Sequence, residues 1–330
     1  MIRRLIAAVC VAACCVAVGC IALLSPGCKK DAASGKPRIA VIPKGTTHEF
    51  WKSVEAGAKA AGDELGVEIV WKGPLKENDM GDQIAMVEQF VSEGVNGIVV
   101  APLDSKGLVR PVKAAGTRKI PVVVFDSALE AEAGKDFAAF VGTNNKNAGR
   151  MAGEELARLL GGKGKAVMIR YQQGSASTAE REEGFLEAMK ANPGIEVISS
   201  DQYAGEGADT AKDKSQNMLD TLRQADGIFT PNESSTIGTL LTLRQAGLLK
   251  GEGRKRYVGF DATPPLVQSL EAGELDAVVA QNPTRMGHDA VVAIVNHIKG
   301  QKVEQNQDTG AMLISKAKLD DPEVKKLLKR

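Results

Sequence analysis

From residue 38 onward the chain alternates between short apolar runs and stretches with helical spacing, and this rhythm constrains the fold more than any other feature. Residues 39–42 are typical of a strand buried on both faces. The next stretch, Glu49–Leu65, spaces its apolar residues as a helix does, and Gly66 is placed to end it. Strand and helix patterns follow one another to the C-terminus. This alternation predicts an α/β fold with parallel sheets and right-handed crossovers.

The same pattern restarts near residue 165, after half of the chain. A chain of 330 residues is long enough for two units that each bury their own core. No linker rich in Gly, Pro or Ser separates the halves, so we expect short strand-like crossings between them. The prediction is two lobes with parallel sheets. A formal net charge of +1 argues against a nucleic-acid surface, which would need a clustered basic excess.

The N-terminus has the composition of an export segment. Two arginines precede an uncharged stretch over residues 5–24, which is also long enough to remain as an uncleaved membrane anchor. All five cysteines lie in this leader, so the rest of the chain can hold no disulfide, zinc–thiolate site or cysteine nucleophile. They are Cys10, Cys14, Cys15, Cys20 and Cys28.

Gly27-Cys28, followed by a polar stretch over residues 29–35, resembles a bacterial lipoprotein processing site. Cys20 fits that motif no worse, but cleavage there would leave the apolar residues 21–24 at the mature end. We therefore expect residues 1–36 to be a leader and tether, with Cys28 as the lipid anchor. The folded part is predicted to work outside the cytoplasm, periplasmic or on the cell surface.

Ligands of parallel α/β sheets bind at the carboxyl ends of the strands, and polar side chains follow several predicted strands here. Carboxylates accept hydroxyl protons, amides donate and accept, and lysine donates. Phe50 and Trp51 could offer an apolar face to the C–H side of a sugar ring. This inventory suits a neutral polyhydroxyl ligand. The residues at the strand ends are Lys44, His48, Asp126, Tyr171, Gln172, Asn232, Glu233, Asp261 and Gln281.

Several of these assignments have structural alternatives. Asp126 and Asp261 could cap turns, and His48 could pack within its turn. Glu233 stands where a helix begins, so it could stabilise a helix N-terminus instead of contacting a ligand. Neighbours on a helix point apart, so one of Phe50 and Trp51 is expected to face the core. Phosphate loops, dinucleotide fingerprints, nucleophile elbows and metal motifs are absent from the sequence. We therefore predict a binding protein that is not an enzyme and uses no cofactor or metal.

Several segments in combination resemble the type I periplasmic sugar-binding proteins, above all the ribose-binding group. The resemblance extends over residues 36–315 and implies two doubly wound parallel-sheet lobes, joined by three hinge crossings, that close on a sugar and deliver it to an ABC importer. By analogy the first lobe takes residues 37–143 and 282–309, and the second takes 144–281 and 310–330. A monomer is expected. The segments are residues 36–66, 120–126, 181–185, 257–261 and 279–281.

The resemblance also implies a set of ligand-binding residues. Those that match the family are Phe50, Trp51, Asp126, Asn232, Asp261 and Gln281. Lys44 and His48 stand where ribose binders have Ser and Asn, and Arg181 lies in the motif beside the position of an expected arginine. The pairs at residues 43–44 and 126–127 look more like those of rhamnose and autoinducer-2 receptors, so the ligand stays open.

Two other functions share this architecture. A signal receptor without transport would have the same lobes and cleft. A transcriptional repressor of the LacI type would need a helix-turn-helix where this chain has its apolar, cysteine-rich leader.

Overall fold

Two six-stranded sheets organise the chain in a computed structural model that describes residues 35–328. The leader, with Cys20 and Cys28, lies outside the described residues. The first sheet contains β1 (Arg38–Ile42), β2 (Glu68–Trp71), β3 (Gly97–Val100), β4 (Val122–Phe125), β5 (Ala139–Gly142) and β11 (Asn306–Asp308). The second contains β6 (Gly164–Arg170), β7 (Ile195–Tyr203), β8 (Gly227–Phe229), β9 (Arg256–Phe260), β10 (Ala277–Gln281) and β12 (Ala311–Ser315).

Helices cover both faces of each sheet, and we call a sheet with its helices a lobe. The first lobe contains α1 (Glu49–Leu65), α2 (Met80–Glu93), α3 (Val109–Thr117) and α10 (Pro283–Ile298). The second contains α4 (Asn145–Leu159), α5 (Ala176–Lys190), α6 (Ala208–Asn217), α7 (Leu219–Gln224), α8 (Glu233–Gln245), α9 (Pro264–Glu271) and α11 (Pro322–Leu328). Among the described helices, none is long and apolar enough to span a membrane.

The two sheets are built on one plan. Their strand orders, β11-β5-β4-β3-β1-β2 and β12-β10-β9-β8-β6-β7, coincide when each strand is replaced by its counterpart. The predicted α/β class with two doubly wound lobes is thus confirmed. Two edge strands differ from the prediction. Strand β12 pairs antiparallel with β10, and β11 is a polar three-residue strand that apolar patterning could not reveal.

The chain passes between the lobes three times, from β5 to α4, from β10 to α10 and from β11 to β12. Hydrogen bonds join these crossings to one another. The amide of Thr309 donates to the carbonyl oxygen of Gly142 at 2.8 Å, and the Thr143 hydroxyl donates to Gln281 Oε1 at 2.9 Å. The crossings therefore form one connected hinge region.

Helix α1 follows the loop after β1. Glycine residues determine where this helix ends and how closely it packs on α10. It ends at Gly66, whose φ of 69° lies in the left-handed region that glycine adopts without strain. Gly57 of α1 and Gly287 of α10 face each other's helix backbone so closely that a Cβ on either would collide with it. This close approach brings the N-termini of α1 and α10 together beside the hinge.

Candidate functional site

All nine predicted ligand-binding residues line one small cavity between the lobes, at the carboxyl ends of the strands. The cavity has a volume of about 30 Å³, which is room for water molecules but not for a sugar ring. A sugar would need the lobes to separate. The predicted residues are Lys44, His48, Phe50, Trp51, Asp126, Arg181, Asn232, Asp261 and Gln281; Glu77, Tyr171, Ser177, Thr178 and Glu233 complete the lining.

Lys44, just after β1, links the two lobes. Its Nζ lies 3.0 Å from Asp126 Oδ2 within the first lobe, and both side chains are almost fully buried. The same ammonium donates to Ser177 Oγ at 3.0 Å and to Ser175 Oγ at 3.4 Å, both of the second lobe. The three donors of this ammonium are therefore all used, and the two that bond to serines of the second lobe would become free for a ligand oxygen if the lobes parted.

Asp126 and Asp261 occupy equivalent positions in the two lobes, after β4 and β9. Both have left-handed backbones, with φ of 61° and 69°, a conformation that aspartate tolerates better than most residues. The amide of each donates to a carbonyl of the neighbouring strand, Val141 at 2.9 Å and Val279 at 2.8 Å. The lobes thus turn matching carboxylates into the cleft.

A side-chain amide from the hinge and a backbone amide at the start of α8 hold the second aspartate. Gln281 Nε2 donates to Asp261 Oδ1 at 2.8 Å, and the amide of Glu233 donates to Asp261 Oδ2 at 2.8 Å. Burial raises the pKa of Asp261, although Arg181 and these hydrogen bonds oppose the rise. Asn232 lines the cavity and also caps α8, since its Oδ1 accepts from the Ser235 amide at 3.3 Å.

Arg181 approaches the cleft from α5 and is buried. Its Nε donates to Asn145 Oδ1 at 2.8 Å, and a terminal nitrogen donates to the Pro231 carbonyl at 3.0 Å. The guanidinium lies over the Phe260 ring, 4.0 Å from its centroid. Burial lowers the pKa of Arg181, and the Asp261 carboxylate opposes that effect. These contacts fix the guanidinium as a buried cation beside the cavity.

Glu77, in the loop between β2 and α2, is a cleft residue that sequence reasoning missed. Its carboxylate accepts from Trp51 Nε1 at 2.6 Å and His48 Nδ1 at 2.7 Å in its own lobe, and from the Tyr171 hydroxyl of the other lobe at 2.7 Å. Burial alone would raise the pKa of Glu77, but the charge and hydrogen bond of His48, helped by Lys44 and Trp51, lower it to about 2.

The same pair determines the charge of His48. Burial disfavours the imidazolium, yet the Glu77 carboxylate outweighs burial and raises the pKa of His48 to about 9. His48 is therefore a cation at neutral pH. The signal available in the sequence was indirect: a buried indole and a buried imidazole both require an acceptor, but no pattern says which loop supplies it.

Glu233 stabilises a helix N-terminus, as its alternative role predicted, but the helix belongs to the other lobe. Its carboxylate accepts from the amides of Glu49 at 3.2 Å and Phe50 at 3.0 Å, at the start of α1. The N-cap residue of α1, His48, makes no side-chain capping bond. Burial raises the pKa of Glu233 to about 7, against the lowering effect of His48 and these amides.

Phe50 and Trp51 are not divided between core and cleft as expected. Both are buried, with 7% and 3% of their surface exposed, and both line the cavity while packing in the core of the first lobe. The Trp51 ring packs edge-on against Phe50 and Phe125, with centroids 4.9 Å and 6.1 Å apart. The first turn of α1 lies where the core of the first lobe meets the cleft, so each ring packs in the core and also lines the cavity.

Comparison with known proteins shows the family to which the chain belongs. Residues 39–302 match the family model of the periplasmic binding protein domain. The chain belongs to the periplasmic binding protein family. It is 30% identical to the D-ribose/D-allose-binding protein of Pseudomonas aeruginosa, over 83% of this chain and 86% of that one. It is 28% identical to the ribose import binding protein of Salmonella typhimurium, over 86% and 92%.

Two solved structures of solute-binding proteins also resemble this chain over most of its length. An ABC transporter solute-binding protein from Agrobacterium vitis with bound D-fucose is 34% identical, with a TM-score of 0.84 over 88% of this chain and 99% of that one. A carbohydrate transporter solute-binding protein from Agrobacterium radiobacter, in complex with D-arabinose, is 31% identical, with a TM-score of 0.84 over 90% and 100%. This periplasmic binding protein therefore has relatives crystallised with neutral monosaccharides.

Charges in the cleft of this periplasmic binding protein are close to balanced. Its lining contains three cationic side chains and four carboxyl groups, one of them with a pKa near 7. No group of side chains suited to hold a metal ion occurs in the described part of the chain. The cations are Lys44, His48 and Arg181, and the carboxyl groups are those of Glu77, Asp126, Glu233 and Asp261.

Proposed function

We propose that this protein captures a neutral sugar or related small polyhydroxyl compound between its lobes and delivers it to an ABC importer, without catalysis and as a monomer. The observation that carries this proposal is the cleft itself. Carboxylates, amides, an ammonium and a guanidinium converge there from both lobes, next to the Phe50 and Trp51 rings. Such a set can pair every hydroxyl of a sugar and cover one apolar face of its ring.

The charge balance supports a neutral ligand over a sugar acid. Lys44 is already paired with Asp126 at 3.0 Å, and His48 with Glu77 at 2.7 Å. An anionic ligand would bring a further carboxylate next to these, and like charges in a buried site cost several kcal/mol unless one of them is protonated. A neutral polyol avoids this cost and can still use the charged groups as strong hydrogen-bond partners.

A thermal-shift screen with pentoses, deoxyhexoses, polyols and sugar acids tests the proposal. A ligand at about 100 times its dissociation constant adds about 2.7 kcal/mol of stability, which corresponds to a rise of several degrees in Tm. We expect neutral compounds to give the largest rise. Stabilisation by sugar acids alone would contradict neutrality, and no stabilisation by any of these compounds would contradict sugar capture.

We propose that the lobes, residues 37–143 with 282–309 and 144–281 with 310–330, close on this ligand. The connected hinge at Gly142, Gln281 and Thr309 supports these boundaries. X-ray scattering with and without a saturating ligand should give a smaller radius of gyration for the bound form. Identical radii, with binding established by calorimetry, would exclude closure.

We also propose that a lipid on Cys28 anchors the exported protein to the membrane. The polar stretch after this cysteine supports it as a tether. Cys28→Ser should release the protein from the membrane fraction, while Cys20→Ser should not. Release by Cys20→Ser alone would move the anchor to Cys20, and retention of both variants would favour an uncleaved helix.

A further inference from the structure

One short segment of the second lobe contacts the first lobe along the cleft. Residues 171–177 follow β6 and lead into α5, and we call them the clasp. The clasp forms hydrogen bonds with the loops that follow β1, β2, β3 and β4, so it meets four strand ends of the opposite lobe. Two strands, β8 and β9, separate β6 from β10, where the chain crosses at the hinge. The clasp therefore lies away from the hinge.

Part of the clasp crosses the central cavity. Lys44 Nζ donates to Ser177 Oγ at 3.0 Å. The Tyr171 hydroxyl donates to the Glu77 carboxylate at 2.7 Å. All four residues line the cavity, whose volume is about 30 Å³. These contacts hold the lobes too close for a sugar ring to fit between them, and they use polar groups with which a sugar would pair.

Other contacts of the clasp reach the backbone of the first lobe. The amide of Ser105 donates to the Gly174 carbonyl oxygen at 3.0 Å. Gln172 Nε2 donates to the backbone carbonyl oxygen of Glu77 at 2.8 Å. A Cβ built on Gly174 would lie 3.5 Å from the Cβ of Asp104. The two lobes therefore touch directly at this edge of the cleft.

The clasp contacts and a sugar in the cleft exclude each other. Admitting a ring between Lys44 and Tyr171 requires the lobes to part about the hinge. Such a rotation moves the clasp further than it moves the residues beside the hinge strands, because displacement grows with distance from the axis. Hydrogen bonds across the cleft cannot survive that separation. The clasp must therefore open before a sugar enters.

We propose that the clasp is an autoinhibitory contact, which holds the lobes in a self-closed arrangement that shuts the sugar out until the clasp contacts break. The competition rests on the proposed function, because it needs a sugar that binds in the central cleft. Only parted chains can bind, so the fraction of time that the lobes are self-closed lowers the apparent affinity. A saturating sugar still reduces the mean radius of gyration, because it closes the parted chains.

Disulfide trapping measures the self-closed population without any sugar. Asp104→Cys with Gly174→Cys places two thiols across the cleft, and the Cβ distance of 3.5 Å suits a disulfide. Neither residue lines the central cavity. The control pair, Gly164→Cys with Asp226→Cys, lies within the second lobe. It has a Cβ distance of 3.4 Å and likewise combines an aspartate with a glycine of positive φ.

Both double variants are made in the full chain and treated with oxidised glutathione, and wild type treated in the same way controls for the leader cysteines. Without sugar, the interlobe pair should form its disulfide within about tenfold of the rate of the control pair, because a rarely populated arrangement would slow the reaction in proportion. A slower interlobe rate would overturn the self-closed arrangement, whether or not the protein binds any sugar.

Hydrogen exchange in wild type checks the same point without a substitution. The acceptor of the Ser105 amide, the Gly174 carbonyl, lies across the cleft. Without sugar this amide should therefore be protected. Exchange at the rate of an unbonded amide would contradict the clasp even if the cysteine variants failed to fold.

The competition is tested with whichever of D-ribose, L-rhamnose and D-sorbitol stabilises wild type in the thermal-shift screen. At saturation the compound should slow the interlobe disulfide about tenfold or more and leave the control pair unchanged. Once formed, the interlobe disulfide should abolish binding of that compound in calorimetry until it is reduced.

Two results would overturn the competition. They are an interlobe disulfide that forms no slower with the compound bound, and a locked chain that binds as tightly as the reduced chain. Either would show that the clasp contacts belong to the bound form. Failure of every sugar to bind wild type would overturn the proposed function and the competition with it, whereas the rates without sugar would still decide whether the lobes close on their own.

Discussion

Two buried carboxyl groups bridge the lobes, and their environments drive their pKa values in opposite directions. Glu77 of the first lobe and Glu233 of the second are each 5% exposed, and each bonds to the opposite lobe. The pKa of Glu77 falls to about 2, whereas that of Glu233 rises to about 7. Burial raises the pKa of both groups, so the opposite directions come from their partners.

The partners of Glu77 include a full charge, and most belong to its own lobe. His48 and Trp51 donate to it from the first lobe, and only Tyr171 does so from the second. The acceptor bonds of Glu233 come from two backbone amides across the cleft, at a helix end that carries only about half a charge. Glu77 can thus keep its ion pair when the lobes part, whereas Glu233 must lose both amides.

The largest expected effect is loss of stability in Glu77→Ala. The substitution leaves His48 as a buried cation without its carboxylate, and removes the acceptor of Trp51 and Tyr171. Breaking one side of a buried ion pair typically costs about 3–5 kcal/mol. Urea unfolding at pH 7 should show that loss, and titration of His48 by NMR should show its pKa falling well below 9.

A matched control is the exposed pair of Glu64 and His288, whose Oε2 and Nε2 lie 3.0 Å apart. Their side chains are 62% and 32% exposed, and exposed pairs contribute about 0–1 kcal/mol. Glu64→Ala should therefore change the free energy of unfolding only slightly. Equal losses of unfolding free energy in Glu77→Ala and Glu64→Ala would mean that burial does not make the Glu77 ion pair more important for stability.

Sequence patterns predict the features that a local run of residues determines. The helix α1 was predicted with the bounds that the structure has, because helical spacing leaves a continuous apolar signal along the sequence. Asp126 and Asp261 followed, since a strand end fixes a position at the sheet edge.

Other features depend on contacts between distant segments, which leave no local pattern. Glu77 lies six residues beyond β2 in a polar loop, and nothing near it in sequence names His48 or Tyr171 as partners. The sequence placed Glu233 at the start of a helix, but its carboxylate stabilises the N-terminus of α1, which lies in the other lobe. The antiparallel pairing of the edge strand β12 could not be predicted either, since an apolar pattern does not show the direction of a strand.

Asp126→Ala should show the next largest effect, on affinity as well as on stability, because it also leaves Lys44 as a buried cation without its carboxylate. Asp126 faces the cavity at a strand end, where a ligand hydroxyl could donate to its carboxylate. A hydrogen bond to a charged group is worth about 1.5–3 kcal/mol, so affinity should fall roughly 10- to 150-fold. Calorimetry with the most stabilising compound of the thermal-shift screen measures it. A folded variant that binds undiminished would place the ligand away from Asp126.

The smallest effect is expected for Glu233→Gln, and it appears in the pH dependence of stability. The pKa of Glu233 is about 7 in the folded chain against an ordinary value of 4.5, so the folded chain binds an extra proton between these values. Its contribution to stability therefore falls as pH rises from 4.5 to 7. Glu77 behaves oppositely, because its contribution is complete above 4.5 and is lost as pH falls towards 2.

Glutamine keeps only one of the two acceptor oxygens that the α1 amides use, and it cannot titrate, so the pH dependence of the difference between the two proteins isolates the proton. Urea unfolding of both proteins from pH 4.5 to 8 should give curves that converge or cross, with wild type losing on the order of 1–3 kcal/mol relative to the variant as pH rises. Glu182, whose pKa burial also raises to about 7, is present in both proteins and cancels in the difference. Parallel curves would mean that Glu233 is ionised throughout, and the opposition between the two bridging carboxyl groups would then be lost.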